Sequence, residues 1–222
     1  MEAGTGRLDV PAVVAASLAI ADADGLENLS MRRLASRLSV TPMAIYHHVR
    51  DKGELLDLMA DESLRALPPL VASAPWDSAL EDLFLGFHRL YLAHPALAQI
   101  MTQRPLEGPH AIAVGEQVLT VLSAAGIDDD TAASAFISIV NYTIGASLYR
   151  TSRSSSRLPE RRRFGRISAA DAPRAHGLRQ TMAALAVDEG QFLDGLRRLL
   201  ASYRMDAAAA PARPTTARAP AG

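Results

Sequence analysis

The sequence predicts an all-α protein, and three observations carry that expectation. Apolar residues recur at i, i+3 and i+4 through nearly every segment. Each such run is bracketed by a capping residue and a stop. No stretch has the strict alternation of a half-buried strand. Alanine, the strongest helix former, is abundant. The balance of 49% hydrophobic to 21% charged residues over 222 is that of an ordinary globular chain.

Asp9 caps a first helix, with Pro11 tolerated in its opening turn. Val14, Leu18 and Ala21 form its stripe, and Gly25 ends it as a left-handed stop. Ser30 caps a second helix reaching Leu38 and carrying Leu34 and Ala35. Thr41 caps a third, from Pro42 to Val49, with Ile45 and Val49 inward. Asp51 caps a fourth, whose Leu55, Leu56 and Met59 face inward. Pro68 and Pro69 end it and mark a domain boundary, giving a first domain over 1–67.

A second domain follows over 68–206. Trp76 to Ala93 reads as amphipathic helix, with Leu80, Leu83, Phe84, Phe87 and Tyr91 inward. Pro95 opens a short helix to about Thr102, and RPLEGPH is a loop. Helix resumes from Pro109 to Ala125 and stops at Gly126. Asp128, Asp129 and Asp130 suit the positive end of the next helix and Arg150 its negative end. The Arg-rich stretch from Ser152 to Pro173 has no apolar period and reads as a mobile loop. Two last helices are expected, about Pro173 to Ala186 and Asp188 to Asp206. The first eight residues and the tail 207–222 are expected to be disordered.

Two of these helices pose a question. Ser30 to Leu38 and Pro42 to Val49 are shorter than the ~12 residues an isolated helix needs. They must be held by each other, through Leu34, Leu38, Val40, Ile45 and Val49, with Ala35 small where they cross. Two short helices joined by a tight turn make a helix-turn-helix, whose second helix is presented outward. Its outward face carries Pro42, Met43, Tyr46 and His47, side chains that suit a groove wall, a thymine methyl or a phosphate. Arg32, Arg33 and Lys52 flank it as candidate phosphate clamps. The alternative is a short helix pair inside an ordinary bundle, with Tyr46 half-buried.

Residues Val10 to about Ala60 resemble the DNA-binding domain of TetR-family, tetracycline-repressor-like, transcriptional regulators. The likeness rests on Gly25-Leu26, LSMRRLASRLSVTPMAIYHHVRDKGELLDLMAD and above all Ala44-Ile45-Tyr46-His47-His48-Val49 followed by Asp51-Lys52. It implies a three-helix DNA-binding domain on a helical ligand-binding and dimerisation domain, binding a double-stranded DNA operator. By the same resemblance Arg32 reaches a base edge or the backbone, and Pro42 and Met43 contact bases or methyls. Tyr46, His48 and Lys52 contact phosphates, and His47 contacts base or backbone. Family members often carry Gly where Ser39 stands. A homodimer is implied, with recognition helices about 34–36 Å apart and a palindromic operator. The helices Thr131 to Tyr149 and Phe192 to Tyr203 fit the dimer surface.

The second domain resembles the tetracycline-repressor subgroup through Trp76, MTQRP at Met101 to Pro105 and NYTIGASL at Asn141 to Leu148. Ile100 and Tyr149 stand where that repressor's metal-binding histidine and acidic partner would be, so no metal-tetracycline site is expected. A pocket for an unidentified small molecule is expected among Phe84, Phe87, His88, Tyr91, Ile100, Met101, Gln103, Val118 and Asn141. The alternative is that these are core.

Other classes are disfavoured. Without cysteine there is no disulfide or thiolate metal site. His47 and His48 diverge by about 100° around a helix, and no metal or cofactor is expected. No HExxH, nucleophile elbow, P-loop or GxGxxG occurs, so an enzyme is not expected. Thr131 to Tyr149 is near the ~20 residues of a membrane span, but its serines, threonines and Asn141 favour burial in protein. No secretory signal opens the chain, and a cytoplasmic location is expected. The net charge of −1 argues against a non-specific DNA-coating protein. The Arg150 to Arg166 stretch is expected to be solvated rather than a second nucleic-acid contact. The rival function is a small-molecule-binding helical protein whose helix-turn-helix no longer binds DNA.

Overall fold

The structure is a computed structural model that describes residues 8–71, 73–104, 107–155, 169–170 and 172–209. Among the described residues it holds helices and no strand. We number ten α-helices: α1 Val10–Asp24, α2 Met31–Arg37, α3 Pro42–Tyr46, α4 Lys52–Ser63 and α5 Trp76–Ala93. Then come α6 Pro95–Gln103, α7 Pro109–Ala124, α8 Asp129–Ser155, α9 Pro173–Leu185 and α10 Glu189–Ala209. Single 3₁₀ turns lie at Leu26–Asn28 and Leu64–Ala66.

The caps read from the sequence are made. Asp9, Ser30, Thr41 and Asp51 each accept a hydrogen bond from a first-turn backbone N–H, those of Ala12, Arg33, Ala44 and Glu54. Gly25 and Gly126 stand at φ 95° and 82°, as stops after α1 and α7. Leu8, expected within a disordered start, packs half-buried against the core. The last helix runs to Ala209, three residues into the expected tail, and 210–222 lie outside the described residues.

Helices α1 to α4 share a core of Val13, Leu34, Ile45, Val49, Leu55 and Met59, each at most 2% exposed. The larger group is built around α8, which packs on α5, α6, α7 and α10. Alone among the described helices, α8 is long and apolar enough to cross a membrane; here it is the packing centre of the second group. Three ion pairs run along the α5–α10 contact, Asp77–Arg204, Glu81–Arg197 and Arg89–Glu189.

Two expected boundaries move. Helix α3 ends at Tyr46, and His47 and His48 form a turn, because the chain must leave the helical path to bury Val49 and place Asp51 as the next cap. Helix α8 does not stop near Arg150 but reaches Ser155, so the first residues of the expected mobile loop are helical. Thr143, Ser147 and Thr151, four apart and buried, each donate a hydroxyl to a carbonyl one turn back and hold this end together. The rest of the expected loop, 156–168 and 171, lies outside the described residues.

Candidate nucleic-acid interface and ligand cavity

The turn between α2 and α3 is set by hydrogen bonds. Val40 N–H donates to Ala35 O at 3.0 Å and Ser39 N–H to Ser36 O at 3.2 Å, the double closure of a Schellman cap. Ser39 takes the left-handed position at φ 55°, where glycine is the usual residue. Thr41 then caps α3, whose fixed start is Pro42. Ile45 and Val49 are pulled into the core, so the opposite face is forced outward. Met43 is 66% exposed and Tyr46 47%, and Pro42 and His47 are exposed beside them. His48 is half-buried. Large apolar and aromatic groups this open to water mark a surface meant to be covered.

The flanking cations are not equivalent. Arg32 is exposed and makes no ion pair among the described residues. Arg33 is held by Asp24 at 2.5 Å. Lys52 folds back, its Nζ donating to Leu26 O at 3.2 Å, which ties the start of α4 to the turn after α1. Two ammonium protons remain for another acceptor.

A cavity of about 380 Å³ lies within the second group of helices. Phe84, Phe87 and Tyr91 from α5 and Met101 from α6 line it, as the sequence suggested. The other five candidates do not. Ile100 and Val118 are sealed in the core at 1% and 0% exposure, while Gln103 and Asn141 face outward. Leu64, Arg104, Ile112, Phe136, Val140 and Thr143 are lining residues the sequence did not single out. The α8 members are spaced four and seven apart, a stripe visible in the sequence but assigned there to a dimer surface. Arg104 lay inside the quoted MTQRP run.

His88 lines a second, more open recess of about 380 Å³ with Tyr142, Arg150, Met182 and Phe192. It stacks on Phe192 with centroids 4.0 Å apart. Ser147 gives its proton to Thr143 O, so His88 Nδ1–H donates to Ser147 Oγ at 2.8 Å. Nε2 is then the acceptor facing Arg150 Nη1 at 3.3 Å. Burial first, and the Arg150 charge second, push the imidazole down to about 4, so it is neutral.

Three carboxylates of the first helix group reach across to the second. Asp22 on α1 accepts from His94 Nδ1 at 2.7 Å and from Ala96 N at 3.3 Å. Asp57 on α4 takes Arg104 in a two-pronged pair, with Nη2 at 2.7 Å. Asp61, also on α4, accepts from His110 Nδ1 and Ala111 N, both at 2.9 Å. A Cβ on Gly108 would meet the Asp61 carboxylate at 2.2 Å, so only glycine permits this approach. Asp22 and Asp61 thus cap the starts of α6 and α7 from outside their own helix group. Among the described residues, no cluster of three or more His, Asp or Glu side chains could hold a metal ion.

These features define a helix-turn-helix protein whose reading head is bolted to a cavity-bearing helical domain. Residues 13–59 match the model of bacterial regulatory proteins of the tetR family, and 69–204 match the tetracyclin repressor-like C-terminal domain. The chain belongs to the TetR family. It is 42% identical over 142 residues to the HTH-type transcriptional repressor DrrR1 of Streptomyces coeruleorubidus. That match covers 63% of this chain and 53% of the relative, so the chain spans about half the relative's length. The TetR-family protein ActR of Streptomyces coelicolor, in complex with actinorhodin, superposes with a TM-score of 0.77 at 27% identity, over 91% of this chain and 99% of ActR. BioQ with its double-stranded DNA operator superposes at 0.63 and 25% identity, over 89% and 99%.

Proposed function

We propose that this protein is a ligand-responsive repressor. It binds a palindromic DNA operator as a homodimer and leaves it when a small molecule fills the cavity of the second domain. The observation that carries this is the forced exposure of the α3 face. Met43 and Tyr46 stand in water on a helix whose other side is fully buried, and a protein with no nucleic-acid partner has no reason to keep that arrangement. Arg32, Pro42, Met43, Tyr46, His47, His48 and Lys52 form the DNA-contact set, with Lys52 serving phosphate through the protons it does not give to Leu26. ActR with actinorhodin and BioQ with its operator support the two halves of the proposal by analogy.

Pairing is supported by the outer line of α8. Ala133, Ile137, Asn141, Gly145 and Tyr149 are exposed at four-residue spacing and carry no charge. The response is supported by Asp22, Asp57 and Asp61. A ligand that shifts α6 or α7 moves helices that α1 and α4 hold directly, and its differential affinity for the two arrangements sets the size of the effect.

The test is selection of duplexes from a random pool by the purified chain at near-physiological salt. An enriched palindrome with half-sites a helical turn apart is the expected result. No enrichment by folded, dimeric protein overturns the proposal.

A further inference from the structure

Pro42, Met43, Tyr46 and His47 fall within an arc of about 140° around α3 and its C-cap, and all four are exposed. Ile45, at 0% exposure, anchors the other side, so no other face of α3 can be turned towards a groove. Thr41, just ahead, caps the helix through its hydroxyl.

Base edges are ordinarily read by paired hydrogen bonds. Arginine and lysine take guanine in this way, asparagine and glutamine take adenine, and a carboxylate accepts from cytosine. From Pro42 to His47 the chain has none of these residues. Hydrogen bonding on the outward face is confined to the Tyr46 hydroxyl and the His47 ring, at the C-terminal end of the helix. A recognition helix meets base edges with its N-terminal residues. There the face is apolar: a proline ring and the 66% exposed Met43, a flexible and polarisable thioether with at most a weak acceptor. The apolar feature that a base pair shows in the major groove is the C5 methyl of thymine.

On the basis of the regulator reading, we propose that α3 recognises pyrimidine C5 methyl groups. Each operator half-site sets a thymine against Met43 and Pro42, and the protein distinguishes that base by its methyl rather than by its hydrogen-bonding edge. 5-Methylcytosine carries the same methyl on a different edge, so it is accepted at that position where cytosine is not.

Duplex selection by the full chain supplies the operator. Each thymine of the half-site is then replaced, in both half-sites, by deoxyuridine, which lacks the methyl and keeps the pairing edge. Deoxycytidine and 5-methyldeoxycytidine follow at the same positions, with the partner base changed to match. At the thymine facing Met43, deoxyuridine lowers affinity on the order of tenfold, as for two methyl groups left in water. Deoxycytidine lowers it at least as far, and 5-methyldeoxycytidine recovers most of that loss. The thymine-to-uracil ratio is the same at about 50 and 200 mM salt, because the methyl carries no charge, while absolute affinity falls steeply. Met43→Ala takes nothing from the core, folds like the parent by circular dichroism and removes most of the ratio. Four results each overturn the methyl reading and leave the regulator reading standing: a half-site without thymine, an operator bound equally well with deoxyuridine throughout, no recovery with 5-methylcytosine, or a ratio that survives in Met43→Ala. The absence of any enriched sequence overturns both.

Discussion

Asp61 and His110 face each other across the junction of the two helix groups, carboxylate to imidazole at 2.9 Å, with the Ala111 amide on the same carboxylate. Asp61 is 7% exposed, so a truncated partner there leaves two donors unsatisfied. Asp61→Ala is expected to cost about 1–3 kcal/mol of stability. It should also reduce the effect of any ligand on DNA affinity. Thermal melting and ligand-dependent DNA titration check the two parts. Unchanged coupling would mean that the junction signals elsewhere.

Tyr46→Ala removes the largest exposed side chain of α3 and nothing from the core. DNA affinity should fall about tenfold or more. Stability should stay within about 0.5 kcal/mol of the parent. Operator binding that survives unaltered would remove Tyr46 from the contact set.

Ser39→Gly places the residue that a left-handed cap prefers at φ 55°. The relief of side-chain crowding, about 1 kcal/mol, outweighs the added freedom of the unfolded chain. A gain of about 0.5 kcal/mol in denaturant unfolding is expected; a loss would mean that the serine side chain contributes more than its backbone costs.

His88 makes stability pH-dependent in a definite direction. Its folded-state value near 4 lies below its ordinary 6.5, so the unfolded chain takes the proton first as pH falls. The contribution is complete above pH 6.5 and is lost as pH drops towards 4. The full loss is on the order of 3 kcal/mol. Unfolding curves across this window should flatten in His88→Phe, and a parent without that slope would contradict the neutral, buried state of the ring.

Gly145→Arg puts a charge on the outer line of α8, where an added Cβ meets nothing within 4 Å. Sedimentation should show a monomer of unchanged helicity with weakened operator binding. A stable dimer would relocate the interface.

The helix-turn-helix was legible because its signals are local. Ser30, Thr41 and Pro42 fix starts, and Leu34 and Ile45 fix the inner faces whatever surrounds them. The cavity was legible on α5, where Phe84, Phe87 and Tyr91 announce a broad aromatic face, and at Met101 on α6. Periodicity tells which residues point inward but not whether neighbouring helices close over them. Ile100 and Val118 therefore read like Met101 yet are sealed. Asn141 read as a polar anchor but lies on the outer line of α8. The end of α8 was missed because serine and threonine are weak helix formers on their own. Their hydroxyls bond back along the helix only once the buried stripe of Thr143, Ser147 and Thr151 is packed.

Helix α9 buries none of its residues, and its Leu178 and Met182 are left 53% and 44% exposed. Thirteen residues in water are close to the limit at which a helix persists unaided. Under the pairing proposed above, its order is drawn in part from association, and concentration then becomes a thermodynamic variable of the protein. A melting temperature that climbs with dilution reversed, and a recess beside His88 whose α9 wall firms up only as copies meet, would tie the shape of that face to how much of the protein the cell contains.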